Sequence, residues 1–222
     1  MNKHSKIIVI VSGAAIAVMF FIERFMQPGY IVKSLCKLVL FGGTILFLKK
    51  SDNTPAVIHK KAYDIQKLKL CALLGIGTYV LIIAGYFLLA DFIDAKQITD
   101  NLLAKENITA QNFIFVALYI SFINSLLEES FFRGMLFLKL GSTWNRRAAF
   151  ILSAFLFSVY HIGIMTSWFS PMMFVLIVGL LFIAGLVLNL FCEWGKSFVA
   201  SWVIHIAANF SINTIGFIML LK

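Results

Sequence analysis

The 222-residue chain is 61% hydrophobic and only 13% charged, with a formal net charge of +9. Soluble domains sit near half apolar and a quarter charged, so one soluble core cannot hide this much apolar surface and lipid has to solvate much of it. The Lys and Arg residues fall between apolar runs, which marks membrane-flanking loops and headgroup contacts rather than a nucleic-acid interface.

Seven apolar runs follow one another, at roughly 7–22, 31–48, 70–93, 113–138, 148–165, 171–192 and 198–220. At about 1.5 Å per residue they suit a hydrocarbon core of about 30 Å. The expected fold is therefore all-α, a polytopic transmembrane bundle of about seven helices. Residues 1–112 would supply three N-terminal helices with their loops, and 113–222 a four-helix core. The first run is followed by Glu23 and Arg24 without a small-residue cleavage pattern, so it reads as a retained helix rather than a signal peptide. The second holds Lys33 and Lys37, four apart and expected to snorkel along one face. Residues 51–67 are the most polar internal stretch and read as a short amphipathic surface segment; 94–112 reads as a long loop. Cys36, Cys71 and Cys192 lie in or beside apolar runs without metal-ligand spacing and read as small buried hydrophobes.

Loop charge sets the expected orientation. Lys3 and Lys6 precede the first run, and Lys49, Lys50, Lys60, Lys61, Lys67 and Lys69 follow the second. Lys139, Arg146 and Arg147 follow the fourth, and Lys196 follows the sixth. The alternate loops are poorly basic, and 91–112 carries Asp91, Asp94, Asp100 and Glu106. The positive-inside rule then puts the N-terminus in the cytoplasm and the C-terminus outside.

Ionisable groups within spans each carry an insertion cost of about 2.5–3.5 kcal/mol and are functional candidates by default. They concentrate in the last four runs. The fourth reads Ser125-Leu126-Leu127-Glu128-Glu129-Ser130-Phe131-Phe132-Arg133-Gly134. Glu129 and Arg133, at i and i+4, share a helix face and can pair. Glu128 is turned about 100° away and is left available for proton transfer, a task suited to a buried carboxyl. The fifth run carries His161, and the seventh carries His205 and Asn209 on one face. Counted from the basic ends at about 1.5 Å per residue, Glu128, His161, His205 and Asn209 all lie about 10–20 Å deep. Three helices thus bring polar groups to one level, as a shared cavity requires. A lone histidine or a Glu–Arg pair is as easily interhelical glue, and that is the reading for Glu129 with Arg133. Ser130 and Ser158 read as helix-packing serines.

In these residues the chain resembles the CAAX-protease and bacteriocin-processing (CPBP) family of intramembrane proteases, over roughly 113–216. The matches are Glu128, Glu129 and Arg133 to its Glu-Glu-x-x-x-Arg motif, Phe157 and His161 to Phe-x-x-x-His, and His205 and Asn209 to His-x-x-x-Asn/Asp. The Phe132-Arg133-Gly134 triplet, Gly185-Leu186-Val187-Leu188, and Ser197 with Ser201-Trp202 agree in position.

The resemblance implies hydrolysis of a peptide bond by an activated water. Glu128 would be the general base, His161 would position or polarise the water, and His205 and Asn209 would donate hydrogen bonds to the developing oxyanion. Glu129, Arg133 and Phe157 would support them. No cofactor is required by this scheme; Zn2+ held by Glu128, His161 and His205 is the alternative. The Lys-, Ile- and Asn-rich composition suggests a low-GC bacterium, so the expected substrate is a small secreted or membrane-associated peptide or protein and the expected location the bacterial plasma membrane. Two rivals stand beside this reading. One is a proton- or ion-coupled transporter, which the lack of repeated halves disfavours. The other is a non-catalytic bacteriocin-immunity or scaffold protein.

Overall fold

A computed structural model describes residues 1–50, 65–104, 106–165 and 168–221. It contains α1 (Lys3–Met26), α2 (Tyr30–Lys50), α3 (Ile65–Phe92), a short α4 (Ala95–Ala104), α5 (Phe113–Thr143), α6 (Arg146–Met165), α7 (Pro171–Gly195) and α8 (Phe198–Leu220). Among the described residues, seven helices, all but α4, are long and apolar enough to cross a membrane. They coincide with the seven runs. The molecule is an all-α, multi-pass membrane bundle. The first and fifth runs, short as apolar stretches, reach 24 and 20 residues because polar flanks join the helices. The surface segment expected over 51–67 falls almost wholly on residues 51–64, outside the described residues.

Side chains at the helix ends establish alternation. Asn2 caps α1, its Oδ1 accepting from Ser5 N at 2.8 Å. Asn2 Nδ2 and Ser5 Oγ each donate to Thr143 O at 3.1 Å, at the end of α5. Arg146 pairs with Glu193 at 3.0 Å, and Lys67 Nζ donates to Trp194 O at 3.0 Å. The starts of α1, α3 and α6 thus meet the ends of α5 and α7, gathering the basic segments at one end of the bundle.

The opposite end corrects one expectation. Residues 94–112 do not form a simple loop but contain α4, whose N-terminus is capped by Asp94 Oδ1 accepting from Gln97 N at 2.9 Å. Ile98 and Leu102, one turn apart, pack into a cluster with Ile108, Phe113, Ala117 and Met219. That spacing is an amphipathic signature on a short scale.

The helix α5 is the axis of the bundle. Between Glu129 and Phe137 only Ser130 escapes full burial, the state expected of a helix surrounded by others. Phe131 stacks on Phe41 of α2 at 4.1 Å between ring centroids, and Phe132 meets Phe157 of α6 edge-on at 5.3 Å. Interhelical hydrogen bonds fix the levels: Ser153 Oγ to Phe132 O, Asn189 Nδ2 to Phe150 O and Ser158 Oγ to Val178 O, each at 2.7 Å. Such bonds average about 0.6 kcal/mol within membranes, so they set register more than stability. Ser130 bonds back to Leu126 O at 2.7 Å. Ser130 and Ser158 thus spend their hydroxyls on backbone carbonyls, as packing serines do. Helices α6 and α7 approach closely at Gly185, where an added Cβ would lie 2.9 Å from Ala154 Cα.

Wide turns interrupt α5. Over Tyr119–Asn124 and Glu129–Lys139 the helix opens to π-type i→i+5 hydrogen bonding, with the ordinary turn Ser125–Glu128 between them. A similar opening, Leu38–Gly42, follows Lys37 in α2. Such openings occur preferentially at functional sites.

Candidate active site

Glu128 begins from a simple constraint: a carboxylate in a lipid-embedded bundle needs partners. It is 2% exposed. As the helix spacing predicts, Arg133 takes the neighbouring acid instead, with Nη1 3.0 Å from Glu129 Oε1. Arg133 also donates through Nη2 to Gly185 O at 3.4 Å, and its Cζ lies 4.2 Å from the Phe157 ring centroid.

Glu128 is nevertheless not unpartnered. Lys37 Nζ lies 3.3 Å from Glu128 Oε1, and Asn124 Nδ2 donates to the same oxygen at 3.0 Å. Lys37 also donates to Asn124 Oδ1 at 2.8 Å and lies 5.0 Å from the Tyr160 ring centroid. The expectation that Lys33 and Lys37 snorkel outward is therefore wrong. Both are buried, and Lys33 pairs with Glu23 at 3.2 Å and with Glu106. Internal carboxylates offer the ammonium groups a nearer partner than the headgroup region does. The signal was present in the sequence: two lysines one turn apart in an apolar run are candidates for internal pairing as much as for snorkelling.

The imidazoles approach from α6 and α8. His205 Nδ1 lies 2.8 Å from Glu129 Oε1, and its Nε2 lies 3.9 Å from Glu128 Oε2. His161 Nδ1 lies 2.7 Å from Phe157 O. A carboxylate and a carbonyl only accept, so each Nδ1 carries hydrogen and each Nε2 is left to accept in the neutral ring or to donate once protonated. The Phe157 ring sits between them, 4.6 Å from His161 and 5.9 Å from His205 between centroids. His161 lies within electrostatic range of the Glu128 carboxylate. Glu129 accepts another bond, from Ser201 Oγ, and Trp202 Nε1 donates to Ser125 Oγ at 3.0 Å.

The structure thus gathers Glu128, Glu129, Arg133, Phe157, His161 and His205 from α5, α6 and α8. Asn209, one turn beyond His205, is buried on the same helix, but its Nδ2 donates to Ile120 O at 3.1 Å, tying α8 to α5. One amide hydrogen remains. Lys37 and Asn124 were missed by sequence reasoning: one lies outside the motif region, and the other is a neutral amide one turn before the motif.

The donor set disfavours a metal. Among the described residues, no three His, Cys, Asp or Glu side chains are grouped so as to hold an ion. The cation beside Glu128 is the Lys37 ammonium, a group that opposes a second positive charge there. The arrangement of Glu128, His161 and His205 does not fit a zinc site.

Residues 110–211 match the family model described as type II CAAX prenyl endopeptidase Rce1-like. No curated protein and no solved structure matches the chain. The matched segment carries the buried carboxylates and both intramembrane histidines, and its family points to CAAX-type intramembrane protease activity. Residues 110–211 thus resemble the CPBP family of CAAX-type intramembrane proteases, within a chain whose seven long apolar helices fit a multi-pass membrane protein.

Proposed function

We propose that the protein is an intramembrane endopeptidase that hydrolyses a peptide bond with a water activated by Glu128 rather than by a metal. The observation that carries this reading is the gap between Glu128 Oε2 and His205 Nε2, 3.9 Å. It is too long for a direct hydrogen bond and suits a bridging water. Glu128 takes a proton from that water as its oxygen adds to the substrate carbonyl carbon. The same proton passes to the amide nitrogen as the C–N bond breaks, leaving a carboxyl and an amine. His161 orients the water through its Nε2. His205, carrying a second proton on Nε2, donates to the oxyanion, and the remaining amide hydrogen of Asn209 joins it. A good oxyanion donor contributes about 2.7–4 kcal/mol.

Glu129, held by Arg133 and Ser201, fixes the ring of His205 as carboxylates fix imidazoles elsewhere. The substrate is a small membrane-associated or secreted peptide, and the enzyme sits in a bacterial plasma membrane with its N-terminus in the cytoplasm. Gathering of the basic segments at one end of the bundle supports that orientation. The test is cleavage of lipid-anchored peptides by the detergent-purified chain, read by mass spectrometry. Product from wild type and none from Glu128→Gln is the expected result; equal product from both overturns the assignment.

A further inference from the structure

One feature of the site comes from outside the matched segment. Lys37, Asn124 and Glu128 form a closed triangle: Lys37 Nζ to Asn124 Oδ1 at 2.8 Å, Asn124 Nδ2 to Glu128 Oε1 at 3.0 Å, and Lys37 Nζ to Glu128 Oε1 at 3.3 Å. The chemistry of each edge is complementary. The amide presents its oxygen to the ammonium and its nitrogen to the carboxylate. Two contacts converge on Oε1, while Oε2 is the oxygen that faces His205.

The geometry points to Lys37 and Asn124 as positioning residues for the hydrolysis proposed above: they anchor one oxygen of Glu128 and reserve the other for the reacting water. The inference rests on that functional reading. A carboxylate held only through its helix is free to rotate about its last torsion, which is broad and roughly two-fold. Swapping the two oxygens costs little unless one is pinned. A donor on α5 and another on α2 pin it from two directions. The pin also makes α2 part of the reaction centre, although that helix precedes the matched residues.

The charges around the carboxylate are consistent with this role. Glu128 faces Lys37 from α2, His161 and Tyr160 from α6, and His205 from α8, with Asn124 one turn earlier on its own helix. Arg133 is committed to Glu129. Lys37 is thus the cation in direct contact with Glu128, and removing it leaves a buried carboxylate without its counter-ion.

The experiment uses the full chain in detergent with a library of lipid-anchored peptides, cleavage being read by mass spectrometry and the best-cleaved member then used for kinetics. Lys37→Met and Asn124→Leu each lower kcat by about 10-fold or more, with KM within about two-fold of wild type. Because both act on one oxygen, the double variant is no slower than the slower single one. Lys37→Arg, which keeps the charge, regains about a third of wild-type kcat or more. An unchanged kcat in Lys37→Met, or losses that add in the double variant, overturns the proposal. So does a loss that Lys37→Arg leaves unrepaired.

A second measurement separates positioning from folding. Lys37→Met lowers the Tm of the purified chain, and adding Glu128→Gln to it restores the Tm, because no lone charge then remains. A Tm that the second substitution fails to restore overturns the pairing. A wild-type chain that cleaves no library member removes the hydrolase reading and the positioning role with it, while the Tm cycle still reports on the triangle.

Discussion

Glu129 and His205 are joined at 2.8 Å between Oε1 and Nδ1, and this bond decides which nitrogen of the ring faces Glu128. The pairing gives the two adjacent acids of α5 different work. One is spent on Arg133, Ser201 and the orientation of an imidazole; the other is turned to the place where a water would react.

Glu128→Gln is expected to lower peptide cleavage by about 10²–10⁴-fold, the range associated with a positioned general base. The side chain keeps its shape and its amide oxygen can still accept from Asn124 and Lys37, but the buried ammonium loses its counter-ion, so a lower Tm should accompany the loss of turnover. Turnover by the purified variant is the measurement. A pure binder or scaffold would tolerate the same change, so a functional assay that the variant passes points away from catalysis.

Arg133→Ala leaves the Glu129 carboxylate buried beside a hole. Both side chains are fully buried, and breaking such a pair by removing one partner costs about 3–5 kcal/mol. The expected outcome is a large drop in Tm. Removing both charges, in Arg133→Met with Glu129→Gln, should recover much of the Tm but not the cleavage rate, since His205 then loses its ionised anchor.

Gly185→Ala tests the helix crossing that supports Arg133. The new methyl would sit 2.9 Å from Ala154 Cα and 3.1 Å from Ala154 O, backbone atoms that cannot step aside singly. The helices α6 and α7 must separate, at a cost of about 1–3 kcal/mol. Thermal unfolding in detergent gives the magnitude. An unchanged Tm would mean that this crossing is looser than the distances imply.

Peptide cleavage should survive metal chelators. The grouping of donors and the Lys37 ammonium beside Glu128 are unsuited to a divalent ion. Loss of activity with a chelator, restored by zinc, would contradict the metal-free mechanism.

The spans were legible because membrane insertion imposes a long apolar period, and each run found its helix. The Glu129–Arg133 pair was legible because i and i+4 is a local relation. The site partnership was only half legible. Spacing shows that Arg133 cannot serve Glu128 as well, but the identity of its actual partner, Lys37, depends on packing between helices 91 residues apart in sequence. The same holds for Asn209, whose place on a helix face is local while its donation to Ile120 O depends on how α8 docks. Helix α4 escaped notice because its apolar face consists chiefly of Ile98 and Leu102 in a polar context.

Burial of Lys37 has a consequence for how the chain is made. During synthesis α2 emerges well before α5, so Lys37 reaches the bilayer when neither Asn124 nor Glu128 yet exists. Each buried lysine opposes insertion by about 2.5–3.5 kcal/mol, and Lys33 at least finds Glu23 already present on α1. The second span therefore reaches its full stability in lipid only when α5 arrives to pair Lys37, which makes part of the bundle's stability an assembly term rather than a sum of independent insertions.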